Sequence, residues 1–188
     1  ILNAWDIEGV RFAEPKLKIM GIEAVKSSTP APCREMIKNA LKLIMSGTED
    51  NVIDYIDDSR KKFRQMDPSL VAFPRSCNNV DKYHSNFSIY TKGTPIHVRG
   101  SLLHNHYVKK YKLENKYSYI QNGDKIKFCY LTKPNPIREN VISFNGDFPT
   151  ELGLNKYIDY TLMFEKSFVE PLKACLLYTS PSPRDGLL

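Results

Sequence analysis

Between Ser27 and Met66 the apolar positions recur at helical spacing. Ile37, Ala40, Leu41 and Ile44 fall at i, i+3, i+4 and i+7, one face of a helix. Thr29 suits its N-cap, and Pro30 its first position, where a missing N–H costs nothing. Gly47 ends it. Thr48, followed by Glu49 and Asp50, starts a second helix with an apolar stripe of Val52, Ile56, Phe63 and Met66. Its acidic residues sit at the positive end of the helix dipole, and Arg60, Lys61, Lys62 and Arg64 at the negative end. Two such helices across a tight turn predict an antiparallel hairpin. The same charge order reads Asp54, Asp57 and Asp58 as a solvated face rather than a metal site.

Elsewhere the period is two. Ala4–Ile7, Val10–Ala13 and Leu17–Met20, punctuated by Glu8-Gly9, Pro15 and Gly21, predict a β ribbon too short to bury a core alone, hence the margin of a sheet. From Pro68 to Gly93 the periodicity fades into turn formers, as in an ordered irregular segment of the kind that carries contacts. Lys92-Gly93-Thr94-Pro95-Ile96-His97-Val98-Arg99-Gly100 opens on a turn, runs through a short alternating segment and closes on glycine. His97 and Val98 alternate there, so one of them must face inwards. Ile126, Phe128 and Tyr130 alternate after the Gly123-Asp124 turn, and Val141–Phe144 is a second short strand. Thr150, after Pro149, is placed to start a last helix, with Tyr157, Thr161, Phe164 and Phe168 on one face. Ile158, Leu162, Val169 and Leu172 widen that face to the breadth of a buried helix. The fold class is α+β: mostly helical around a small antiparallel β unit, preceded by the ribbon. Leu176–Leu188 has no cap and no periodicity. It resembles translated read-through of a sequencing adapter, and is expected to be a non-native or disordered tail.

A chain of 188 residues suffices for one substantial domain. The 41% of hydrophobic residues, with 11 tyrosines and 9 phenylalanines, argues against disorder for the chain at large. Lys and Arg outnumber Asp and Glu by 27 to 21, and the net charge of +6 favours an anionic partner. The four cysteines form no CxxC pair and the four histidines come with no carboxylate ligand pattern, so neither zinc nor a dense disulfide framework is signalled. No segment approaches ~20 apolar residues, so none reads as a membrane span. The start, Ile1-Leu2-Asn3, reads as mid-protein. After Gly100, His104, His106, Lys109, Lys110, Lys112 and Lys116 interleave with Tyr107, Tyr111, Tyr117 and Tyr119. Charge among aromatics is the composition of a surface that holds a phosphate backbone, though a solvated basic face has the same composition.

Four stretches resemble the carboxyl-terminal part of family B DNA polymerases, specifically those of T-even-like bacteriophages. They are Glu8–Gly21, Ser27-Ser28-Thr29-Pro30, Pro95–Gly100, and Phe164-Glu165-Lys166-Ser167-Phe168-Val169-Glu170-Pro171-Leu172. They occur in the family's order across nearly all of residues 1 to 175, and beyond Leu176 the resemblance is expected to fail. It implies residues 1–26 as the end of a palm domain, 27–175 as a thumb domain that closes on primer–template duplex, and 176–188 as the tail. It further implies a parent nucleotidyltransferase that replicates viral DNA from deoxynucleoside triphosphates. Its Mg²⁺ ions would be bound outside this fragment, by palm aspartates in motifs the chain does not contain. The fragment is therefore expected to be inactive alone. A sliding clamp is expected to be met through a missing carboxyl terminus, with a monomeric state, no membrane, and the cytoplasm of the infected bacterial host as the setting.

Thumb contacts go mostly to phosphate and sugar, so they position duplex without reading sequence. Lys26, Ser27, Ser28 and Thr29 join charge, hydroxyls and a helix N-terminus, suited to a phosphate; Thr29 can equally be a local cap. Arg75, Lys92, His97 and Arg99 complete the DNA-binding candidates. Arg99 has an alternative, an internal pair with a carboxylate such as Glu114 or Asp124. A free-standing, non-catalytic nucleic-acid-binding or scaffold domain is the competing function, and a self-contained nuclease would need a metal-bound carboxylate pair.

Overall fold

Two helices set side by side by a glycine turn frame one half of the core. In a computed structural model of the chain, Ile19 and residues 26–179 are described. The β ribbon expected in residues 1–26 therefore lies almost wholly outside the described residues, as does the tail from 180 on. Helix α1 (Ala31–Ser46) buries Cys33, Met36, Ile37 and Ala40, and ends where the Gly47 N–H donates to the Leu43 carbonyl. Leu41 and Ile44 of the expected stripe are half-buried. The start differs by one residue: Pro30 occupies the N-cap, and Thr29 is buried rather than capping. Helix α2 (Glu49–Arg64) opens in a capping box. The Asn51 N–H donates to Thr48 Oγ1, and the Thr48 N–H donates to Asn51 Oδ1 at 3.2 Å, so two orphan donors of the first turn are satisfied. Phe63 is fully buried, its ring edge-on to Phe164 at 5.3 Å and Tyr160 at 6.1 Å, which ties the hairpin to the end of the chain.

The segment expected to be irregular holds more than turns. It contains α3 (Pro68–Val71), strand β1 (Phe73–Ser76) and α4 (Val80–Tyr83). β1 pairs antiparallel with β2 (Lys125–Tyr130), Phe73 opposite Phe128 and Arg75 opposite Ile126. β2 pairs antiparallel with β3 (Val141–Phe144), Cys129 opposite Ile142. Four residues including Pro74 give too little alternation to read as a strand; Pro74 is tolerated because β1 is the edge of the sheet.

The central stretch is corrected most. His97-Val98-Arg99 is not extended: it is the first turn of helix α5 (Ile96–Lys110). Gly100 sits inside that helix, not at its end, and lies against β3. A β-carbon there would come within 2.3 Å of Ser143 Oγ, 2.9 Å of the Ser143 nitrogen and 3.1 Å of the Ile142 carbonyl carbon. Hydrogen bonds lock the approach, since the His97 carbonyl accepts from Ser143 Oγ at 2.8 Å and from Ser101 Oγ at 2.9 Å. α5 buries residues on most of its circumference, among them Val98, Leu102, Leu103, His104, Tyr107 and Val108. A helix apolar nearly all round carries little helical periodicity.

The last helix also starts later than expected. Thr150–Leu152 and Asn155–Tyr157 are single 3₁₀ turns separated at Gly153, whose φ of +64° leaves the helical region. Helix α6 (Tyr160–Phe164) begins at Asp159, whose carboxylate accepts from the Leu162 N–H at 2.9 Å. It continues through a π-helical turn (Glu165–Val169) into α7 (Glu170–Thr179), so the helix passes Leu176 by three residues. Phe164 and Phe168 are buried as the stripe predicts. The α+β class holds: helices around one three-stranded antiparallel sheet among the described residues.

Candidate nucleic-acid interface

Arg75 stands opposite Ile126 on β1, and directly paired residues project from the same side of a sheet. That side faces α5, since Ile126 packs with Val98 and Leu102. The exposed Arg75 side chain reaches back to the turn before α1, where Nη1 donates to the Ser28 carbonyl at 3.1 Å and to its neighbour's carbonyl, Pro74, at 3.0 Å. Residues 47 apart in sequence thus meet at one corner, beside the exposed Lys26 and Ser27. His97 joins them: its ring centroid lies 6.5 Å from that of Phe128. Burial, then the Arg75 charge, holds its imidazole below the ordinary histidine range. Near neutral pH His97 is therefore a neutral donor or acceptor, and the positive charge of the corner comes from Lys26 and Arg75. Of the pair left open by the sequence, Val98 faces inwards, 1% exposed, and His97 is half-buried.

The remaining candidates separate. Lys92 is exposed in the turn before α5. Arg99 follows His97 by two residues, about 200° around a helix, and leaves by nearly the opposite face. Its Nη2 donates to Asn140 Oδ1 at 2.5 Å and its guanidinium lies 5.6 Å from the Tyr90 ring centroid. Tyr90 in turn donates its hydroxyl to Glu139 Oε1 at 2.5 Å. Neither expected carboxylate pairs with Arg99: Glu114 accepts from the Tyr119 hydroxyl at 3.1 Å, and Asp124 from the Gln121 N–H at 2.8 Å. Thr29 is 4% exposed, which leaves Ser27 as the most accessible hydroxyl of its run.

The basic and aromatic series after Gly100 also divides. His104 is fully buried, its Nε2 donating to the Ser118 carbonyl at 3.2 Å, and serves the core. Tyr117 is buried with its hydroxyl donated to Glu151, which also accepts from Lys116. His106, Lys109, Lys110 and Lys112 are exposed. The sequence reading passed over a cavity of about 930 Å³ between α4, α5 and the loop that follows α4, with Phe87 at its mouth. The only sequence signal was an aromatic residue set among turn formers. Asp54, Asp57 and Asp58 are exposed, and among the described residues no three acidic, histidine or cysteine side chains gather where they could hold a metal ion, so these residues do not fit Mg²⁺.

The fold defines a class, a helix-rich α+β chain with one small antiparallel sheet. What it is similar to is more particular. The chain is 33% identical over 175 residues to the DNA-directed DNA polymerase of Enterobacteria phage T4, and 34% identical over 188 residues to that of Escherichia phage RB69. These matches take in 91% and 98% of this chain but 19% and 20% of the relatives, so the chain spans about a fifth of the curated relatives it matches. No family model matches it. The resemblance to DNA polymerases of T-even-like phages, read from four short stretches, is thereby shown along nearly the whole chain. It also runs further than expected: 98% coverage leaves about four of 188 residues unmatched, so the RB69 match enters the stretch after Leu176.

Proposed function

We propose that this chain is the duplex-gripping thumb segment, preceded by the end of the palm, of a phage DNA-directed DNA polymerase. One observation carries the reading: Arg75 is held to the Ser28 carbonyl, so a cation from a sheet edge and the turn before a sixteen-residue helix share one corner. Both of these Arg75 bonds leave from Nη1, and the other guanidinium nitrogens donate to no group among the described residues. A phosphate placed there would meet a planar donor edge in the turn that also carries the exposed Lys26 and Ser27. With His97 beside Arg75, the corner fits backbone contact, which is indifferent to base sequence, and the exposed Lys92 would reach the same backbone from the turn before α5. Arg99 is occupied by Asn140 and Tyr90, and contributes by holding the start of α5 in place.

Catalysis belongs, in this reading, to the parent protein. Carboxylates outside this chain hold Mg²⁺, and the metal supplies nucleophile activation and charge stabilisation when nucleotide is added from deoxynucleoside triphosphates. The residues described here orient the product duplex. The setting is the cytoplasm of an infected bacterium, with the chain as part of a monomeric polymerase that meets a sliding clamp elsewhere.

The test is duplex binding by the chain as a function of salt. Non-specific affinity of ~10⁻⁴ to 10⁻⁶ M at physiological salt is expected, without sequence preference. Arg75→Gln should weaken all duplexes alike and lower the slope of log affinity against log salt by roughly 0.9, one phosphate's share. An unchanged slope in a folded variant would remove Arg75 from the interface.

A further inference from the structure

Phe87 presents a ring that nothing covers. A side chain of that size left in water forgoes the burial its neighbours gain, yet the loop around it is held in shape. The Phe87 and Ser88 N–H groups both donate to Ser85 Oγ, at 3.2 and 3.3 Å. Ser88 Oγ donates to the Tyr90 carbonyl at 2.6 Å, and the Thr91 N–H closes the loop onto the Tyr83 carbonyl at 3.0 Å. The ring is presented by a constrained turn.

Beside it opens the cavity of about 930 Å³, walled by His84, Phe87, His106, Lys109, Tyr119 and Gln121. Several of its other polar groups are already committed. Both ends of the Asn105 amide hold the Ile120 backbone, at 2.9 and 2.8 Å. Asn122 accepts from the Val80 N–H and donates to the Asp81 carboxylate at 2.6 Å, which occupies the one acid of the wall. No hydrogen-bond or ion-pair partner engages the Lys109 ammonium, the Gln121 amide or the imidazoles of His84 and His106. Burial, then the Lys110 charge, keeps the His106 imidazole below the ordinary histidine range, so near pH 7 it can both donate and accept.

These groups select among ligands. A purely apolar ligand would desolvate Lys109 and Gln121 without repaying them. A small anion would use Lys109 and leave the aromatic faces idle. A flat heterocycle bearing a phosphate uses all of them, and the volume is in the range of small-molecule sites. We propose that this cavity seats one unpaired nucleotide, the base against Phe87 and Tyr119, its edge bonded by Gln121 and His106, and its phosphate on Lys109. The chemistry is shared by a free nucleotide and by a nucleotide of a single strand. The site uses none of the residues of the duplex corner, so the two readings fail separately.

The experiment titrates the full chain with deoxythymidine monophosphate, followed by NMR shifts, and with a short fluorescein-labelled oligothymidylate, followed by anisotropy. Saturable binding is expected, weakened about fivefold or more in Phe87→Ala, as base–aromatic contacts are on alanine substitution. Lys109→Gln should weaken it too, and lower the salt slope for the oligonucleotide by roughly 0.7, one phosphate's share on a single strand. Both residues are exposed, so both variants should fold. Neither should alter duplex binding, whereas Arg75→Gln should alter duplex binding more than oligonucleotide binding. If only the oligonucleotide binds, the source is a strand; if the mononucleotide binds as tightly, it is a free nucleotide; either supports the cavity as the site. The proposal is overturned if neither probe saturates, if Phe87→Ala and Lys109→Gln bind like the parent chain, or if both lose duplex and oligonucleotide binding in equal measure.

Discussion

Gly100 and Ser143 meet where helix α5 crosses strand β3, and a β-carbon on Gly100 would lie 2.3 Å from the Ser143 hydroxyl oxygen. The hydroxyl alone could rotate away, but the Ser143 nitrogen at 2.9 Å and the Ile142 carbonyl carbon at 3.1 Å belong to the strand. Ser143 Oγ is also the donor that holds the His97 carbonyl, so rotation breaks that bond.

Gly100→Ala sets two effects against each other. Alanine gains up to ~1 kcal/mol of helix propensity over glycine. Overpacking against a buried strand costs typically ~1–3 kcal/mol, and loss of the Ser143 bond adds about 1 kcal/mol. Net destabilisation of about 1–3 kcal/mol is expected, measured as a lower denaturation midpoint with an unchanged m-value. A variant as stable as the parent chain would show that α5 and β3 do not approach this closely.

Arg99→Gln separates internal from DNA-facing arginine. Losing the bond to Asn140 and the contact with Tyr90 should cost about 1–2 kcal/mol of folding stability. Because those contacts occupy Arg99, the salt slope of duplex binding by the folded variant should stay as it was. A slope lowered as far as in Arg75→Gln would return Arg99 to the interface.

Acid should weaken the fold in two separate windows. Burial holds His104 below the ordinary value of 6.5, and His97 and His106 shift the same way. A histidine whose folded value is lowered stabilises the fold fully above its unfolded value. Below that value the unfolded chain takes up the proton first, and stability falls until the folded value is passed. Unfolding midpoints should therefore begin to drop as pH falls through about 6.5, the unfolded value, and go on dropping below it. His104→Gln, which keeps a donor for the Ser118 carbonyl, should show a shallower drop whatever its absolute stability. An equal drop would mean His104 does not titrate in this range. Glu151 acts lower. Lys116 and then Tyr117 bring its carboxyl to about 2 from an ordinary 4.5, so its contribution is present above 4.5 and lost as pH falls from there towards 2.

Local pattern was legible where one face of an element is wet. The α1–α2 hairpin could be read from Ile37, Ala40 and Phe63 because the opposite faces carry charge, and the turn from Gly47 and Thr48, whose chemistry is local. β2 could be read because its exposed Lys125 and Lys127 alternate with buried Ile126 and Phe128. β3, buried at all four positions, was read as a strand from its short apolar run. The resemblance to phage polymerases was legible for a different reason, since it rests on the order of residues and not on their environment.

Tertiary structure alone decided the rest. Helix α5 is enclosed by β3 and α4, so burial runs round it and erases the stripe, while Gly100, a poor helix former, is required by the strand it touches. β1 exists because β2 offers its edge, not because Phe73–Ser76 prefers to be extended. The nucleic-acid corner belongs to the same category. Arg75 and Ser28 could be nominated one by one from residue type, but which nominees share a surface depends on the pairing that carries β1 to the start of α1. That pairing sets Arg75 beside Ser28 and His97, and the turn of α5 sends Arg99 away to Asn140. Charge and residue type are properties of the chain; adjacency between residues dozens of positions apart is a property of packing.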